Sequence, residues 1–132
     1  MDDKVHMKKN GLHIAEDGAK LWYLNGALHR EDGPAMECAN GYKSWCINGK
    51  RHRLDGPAVE CAHYKHWCID DKLHRLDGPA VERANGTAGW YLNGIYLGDD
   101  VVGFWALWEK LTPEQQYDLN LHRWLAKYSA IV

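Results

Sequence analysis

A heptapeptide written three times constrains this chain more than any other feature. His-Arg-x-Asp-Gly-Pro-Ala occupies His29 to Ala35, His52 to Ala58 and His74 to Ala80, each copy beginning seven residues after a tryptophan. Aligning Trp22, Trp45, Trp67 and Trp90 gives spacings of 23, 22 and 23 residues. A fixed period of that size marks an array of one small supersecondary unit, in which neighbours bury what a single unit cannot. Equivalent side chains then lie along a line, which bears on function as much as on fold.

Within a unit the order is Trp, a short apolar run, Asn-Gly, a basic run ending in His-Arg, x-Asp-Gly-Pro-Ala, an apolar-acidic pair and often a second Asn-Gly. Asn25-Gly26, Asn48-Gly49 and Asn93-Gly94 suit two-residue type I′ turns, whose central residues both need positive φ. A two-residue loop sets Ile47 against Lys50, Cys46 against Arg51 and Trp45 against His52, and likewise Trp22 against His29 and Trp67 against His74. In the last unit the same arithmetic sets Leu97 against Trp90, and an apolar residue at that place implies that the histidines pack on the indoles. A hairpin at Asn40-Gly41 would oppose Glu37 to Ser44, with Arg53 on the far side, giving a Glu-Ser-Arg row. Asp-Gly-Pro reads as a connector in which Asp bonds nearby backbone N–H groups and Pro stops ladder pairing. The third unit departs from the pattern at Asp70-Asp71 and at Ala62 to Lys65, so the sheet is expected to be less regular there.

Residues 1–21, with Asn10-Gly11, His13 and Asp17-Gly18, form a partial terminal unit. Downstream the apolar period changes from strand to helix. Asp99 and Asp100 can cap a helix carrying Val101, Phe104, Trp105, Leu107, Trp108 and Leu111, and Thr112-Pro113-Glu114 opens a second carrying Tyr117, Leu121, Trp124, Leu125 and Tyr128. The expected architecture is mainly β with C-terminal α: a single-layer antiparallel hairpin meander over residues 1–98, closed by a helical hairpin over 99–132. Seven Trp and seven Tyr against one Phe suit half-buried surfaces of such a thin body.

The unit Trp-Tyr/Cys-x-Asn-Gly-x-x-His-Arg-x-Asp-Gly-Pro-Ala-x-Glu stands at residues 22–37 and 45–60, and in varied form at 67–82. It resembles the variant MORN-type repeats, especially the form common in bacteriophage proteins, over roughly residues 10–97. The resemblance implies a MORN-like meander of hairpins and a binding scaffold, with antitoxin or immunity proteins among bacterial relatives. It carries no catalytic residues onto this chain and does not reach the C-terminal helices.

The repeated Trp22, His29, Arg30, Asp32, Trp45, His52, Arg53, Asp55, Trp67, His74, Arg75 and Asp77 are therefore read as structural. A catalytic centre needs one convergent constellation, whereas these groups are a whole unit apart. Seven, fourteen and six residues separate Cys38, Cys46, Cys61 and Cys68, unlike the paired spacing of common zinc sites. No metal or cofactor is assigned, and the thiols are expected to be reduced. No stretch approaches the roughly 20 apolar residues of a membrane span, and the N-terminus lacks the apolar region of a signal peptide, which points to the cytoplasm. A net charge of −2 argues against general nucleic-acid binding.

These features point to a non-enzymatic protein-binding module, expected to be phage-encoded and to inhibit a host or bacterial-defence protein. Either the sheet face or the terminal helices carry the binding, through Trp105, Trp108, Tyr117, Trp124 and Tyr128 or through Lys50 and Arg51. A homodimer through the C-terminal helices would use the same apolar surface. Two alternatives stand beside it: a small nuclease or hydrolase built from repeat His and Asp, and a nucleic-acid or phospholipid-headgroup binder using the basic, aromatic sheet face at Lys50 to Arg53.

Overall fold

The computed structural model describes residues 8–119. Its fourteen strands are β1 (Gly11–Ile14), β2 (Lys20–Leu24), β3 (Ala27–Leu28), β4 (Met36–Glu37), β5 (Lys43–Ser44), β6 (Cys46–Ile47), β7 (Lys50–Arg51), β8 (Val59–Glu60), β9 (Tyr64–His66), β10 (Cys68–Ile69), β11 (Lys72–Leu73), β12 (Val81–Arg83), β13 (Ala88–Leu92) and β14 (Ile95–Gly98). They are followed by helix α1 (Val101–Lys110). The main sheet runs β1-β2-β4-β5-β8-β9-β12-β13-β14, all antiparallel, with β3 paired to β2; β6–β7 and β10–β11 form two-stranded ladders. The chain is thus mainly an antiparallel β meander with helices after it, for residues 113–119 are helical as well.

Two kinds of turn alternate. On one rim the tight turns have positive φ at both central residues: Asn25 (50°) and Gly26 (82°), Asn48 (51°) and Gly49 (80°), Asn93 (49°) and Gly94 (82°). Asp70 (47°) and Asp71 (69°) adopt the same conformation, so the third unit is regular here, contrary to the sequence expectation. Within these hairpins the register is the expected one, with Cys46 facing Arg51 and Ile47 facing Lys50. The Trp22, Trp45 and Trp67 carbonyls accept from the N–H groups of His29, His52 and His74, each at 2.9 Å.

On the opposite rim the turns hold three residues. Ala15 N–H bonds the Ala19 carbonyl, Cys38 that of Tyr42 and Arg83 that of Thr87, closing loops that end in Gly18, Gly41 and Gly86 at φ near +90°. The side chains of Asp17, Asn40 and Asn85 accept from the backbone two residues on. The extra loop residue moves the register by one: Ser44 faces Met36 and Val59, while Glu37 faces Lys43. The Glu-Ser-Arg row does not exist. At Cys61 to Tyr64 the loop has only two residues, which accounts for the one 22-residue interval.

The corrected register sorts the sheet into rows. Lys20, Glu37, Lys43, Glu60, Lys65 and Glu82 face one another in unbroken alternation on one face. Opposite charges across antiparallel strands support the pairing. Leu21, Met36, Ser44, Val59, His66, Val81 and Gly89 make the adjacent row, which points to the other face. The core is shallow and built from small residues, its largest fully buried side chains being Val59 and Cys68.

At the C-terminal end Asp100 caps α1 by accepting from Val102 N–H. The helical segment after it opens, as expected, at Thr112, in a capping box: Thr112 Oγ1 accepts from Gln115 N–H, and Gln115 Oε1 accepts from Thr112 N–H. Leu97 does not face Trp90. The ladder slips at Trp90/Tyr91, so Trp90 pairs with Gly98 and Leu97 falls in the irregularity. A Cβ on Gly103 would meet the Leu97 carbonyl oxygen at 1.6 Å, so glycine is what lets α1 lie against β14.

Candidate interaction surfaces

Every part of the repeated heptapeptide has a partner inside the array. Trp22 is flanked on one side by both ends of one heptapeptide: its carbonyl accepts from His29 and its N–H donates to Ala35. Trp45 and Trp67 hold His52 and Ala58, and His74 and Ala80, in the same way. The five residues between are looped out of the ladder, and the loop's arginine folds back over the indole. Arg30, Arg53 and Arg75 stack on Trp22, Trp45 and Trp67 at 3.9, 3.9 and 3.8 Å. Their Nε groups donate to Asp32, Asp55 and Asp77 at 3.0, 3.3 and 2.9 Å, and an Nη1 of each donates to the carbonyl of Pro34, Pro57 or Pro79. Glu37, Glu60 and Glu82 lie beyond, 4.0, 3.5 and 2.5 Å from the same nitrogens. The Asp side chain thus takes the guanidinium, whereas the sequence suggested backbone N–H groups. The glycine leaves the guanidinium its seat: a Cβ on Gly33, Gly56 or Gly78 would sit 2.9, 2.7 or 2.7 Å from the guanidinium carbon, so a side chain there would displace the arginine.

Arginine, not the histidine of the same unit, holds the place over Trp22, Trp45 and Trp67. The histidines instead tie neighbouring units. The Nδ1 atoms of His29, His52 and His74 accept from Asn48, Asp70 and Asn93 N–H at 2.9, 3.0 and 2.9 Å, each in the next unit's tight turn. The following turn residue adds a second tie, with Gly49, Asp71 and Gly94 donating to the carbonyls of Leu28, Arg51 and Leu73. In the N-terminal unit Asn10 Oδ1 takes the histidine's part, accepting from Asn25 N–H at 2.8 Å while Gly26 donates to Lys9. Sequence comparison could have paired Asn10 with the histidines only by ignoring the five-residue connector, which the first unit lacks.

The basic run at Lys50 to Arg53 is not a free cationic strip. Arg51 Nε donates to Asp71 Oδ1 at 2.9 Å, and the same oxygen accepts from Arg51 N–H. This bonding holds the Asp71 carboxyl below, and the Arg51 guanidinium above, their ordinary ranges. His52 and Arg53 are committed as described, and Lys50 alone is exposed without such ties. Arg51 therefore moves from candidate contact to scaffold, and Asp71, which the sequence flagged only as an irregularity, is its partner.

Burial pushes the Cys46 and Cys68 thiols up, away from thiolate reactivity. All four cysteines are free, Cys38 and Cys61 being half-buried. Among the described residues no group of three or more His, Cys, Asp or Glu is placed to hold a metal ion. No described helix is long and apolar enough to cross a membrane.

At the C-terminal end the chain's one phenylalanine is the joint. Phe104 is buried, lies 5.5 Å from Trp90, stacks on Trp108 at 5.9 Å and meets Trp105 edge-on at 5.5 Å. Trp108 is half-buried in this seam, and its carbonyl accepts from the Gln116 side chain. Trp105 is 52% exposed, with Val101 and Val102 exposed beside it on the helix and Tyr117 exposed in the following segment. Trp124 and Tyr128 lie outside the described residues.

No family model, curated protein or solved structure matches the chain.

Proposed function

We propose that this protein is a non-enzymatic, MORN-like binding scaffold that engages a protein partner through its C-terminal end. One observation carries the reading: Trp105, Val101 and Val102 present apolar surface on a helix whose other side is already anchored by Phe104. Tryptophan is among the residue types most enriched at interface hot spots. The repeat supports it indirectly. Its Arg, Asp and His side chains hold units together, and the Lys-Glu row is charge-balanced, so neither the hydrolase nor the phosphate-binding alternative gains a specific observation in its favour. The phage origin and the action on a host or bacterial-defence protein rest on the motif's resemblance.

Affinity capture from bacterial lysate tests the reading. The full chain is expected to retain a specific protein, and Trp105→Ala to lose it with an unchanged melting temperature. Capture of nothing specific, or equal capture by the variant, would overturn it.

A further inference from the structure

We infer that β1 is a self-recognition edge, along which two copies of this chain pair antiparallel and continue the sheet across a twofold axis. β1 is the terminal strand of the sheet and pairs with β2 alone among the described residues. Its outer row of N–H and C=O groups is the kind of edge that natural sheets guard with charge or proline.

The other units show what the guarded version looks like. His13 and Ile14 face Leu21 and Lys20 across one three-residue turn, as Met36 and Glu37 face Ser44 and Lys43 across the next. Leu12 and Ile14 thus occupy the positions of Ala35 and Glu37. In the internal units those positions hold a fully buried alanine and a glutamate bound to arginine. In β1 they hold a leucine and an isoleucine that are 50% and 60% exposed. Glycine (Gly11) precedes Leu12, where Pro34, Pro57 and Pro79 precede the alanines. Charge, proline and connector are all missing from β1, which has no outer neighbour among the described residues, whereas α1 packs beside the other end strand, β14.

Charge complementarity selects the second copy and its direction. Lys8 and Lys9 lie just before β1, and Glu16 and Asp17 just after, all four exposed. Antiparallel self-pairing centred on His13 puts Leu12 against Ile14 of the second copy and runs each basic end past an acidic one. Parallel pairing would put lysine against lysine. The contact is isologous and closes at two copies, because α1 seals the far end of the sheet through Gly103. A four-residue strand pair buries less than the roughly 1,200 Å² of standard stable interfaces, so the dimer is weak and concentration-dependent.

Sedimentation velocity on the full chain, from about 5 to about 500 µM, is expected to show 15.1 kDa monomers giving way to dimers in the micromolar range. Ile14→Glu, which restores the residue type of the other units, should weaken association at least about tenfold without changing the melting temperature. Trp105→Ala should leave association unchanged. Under mild oxidation His13→Cys, on the axis, should give a covalent dimer, whereas Lys50→Cys should not. Monomers throughout the range, as expected if another part of the chain covers the edge, would overturn the inference. So would a dimer that Ile14→Glu leaves intact.

Discussion

Arg53 stacks on Trp45, pairs with Asp55, closes on the Pro57 carbonyl and faces Glu60, and its planar fork is what makes all of these compatible. A lysine could supply the charge but not the stacked plane with separate donors for Asp55 and the Pro57 carbonyl. The heptapeptide is therefore conserved between units as a mechanical part, with Gly56 left bare so that the guanidinium can lie on it. His52 is separable from that clasp, since its task is one accepted hydrogen bond, which Asn10 performs in the first unit. His52→Ala is expected to cost about 0.5–1.5 kcal/mol in urea unfolding, whereas His52→Asn should cost only a few tenths. Equal losses would show that the ring's bulk, rather than its Nδ1 atom, holds the next unit. A different histidine sets the pH response. Burial, and after it the Arg51 and Arg83 charges, hold His66 below its ordinary value. The unfolded chain then takes up that proton first, so stability present above about pH 6.5 falls as acid is added and levels once folded His66 protonates. Melting temperatures at pH 7.5 and 5.5 should differ less in His66→Gln than in the parent.

Among the elements, α1 depends on one close approach. Gly103→Ala places a methyl group inside the Leu97 carbonyl, which neither backbone can yield to without separating α1 from β14. The expected result is a loss of about 2 kcal/mol or more, with red-shifted tryptophan emission as Phe104 and Trp108 move together away from Trp90. Gly41→Ala meets no neighbouring atom and should cost only the roughly 1 kcal/mol of a left-handed backbone. The tight hairpins and the capped helix were legible in the sequence, because Asn-Gly and Asp-before-apolar signals are local. The opposite rim was not, since Asn-Gly fits a two-residue turn and a three-residue turn ending in glycine equally well. That ambiguity of one residue displaced Ser44 and Glu37 together. Leu97 failed for a related reason: the ladder slips at Trp90/Tyr91, next to the strand on which α1 lies, and counting along a hairpin does not contain such a slip.

Across the whole molecule, the sequence disclosed the array but misplaced what joins its units. It assigned histidine to tryptophan within a unit, whereas the histidines reach into the following unit and the arginines close their own. Exposure was also beyond its reach. Trp105 and Trp108 are alike in composition and helical phase, yet Phe104 draws Trp108 into the seam while Trp105 stays in solvent. The two rims have different freedoms. On the tight-turn rim each loop is two residues long and its amides are held by the preceding unit, so a change of length there would propagate into the neighbour. The other rim already tolerates loops of three residues at 39–41 and two at 62–63 without breaking the order of strands. A foreign peptide grafted between Ala39 and Gly41 should be displayed as a projecting loop, making that rim the natural place to give the scaffold a new specificity.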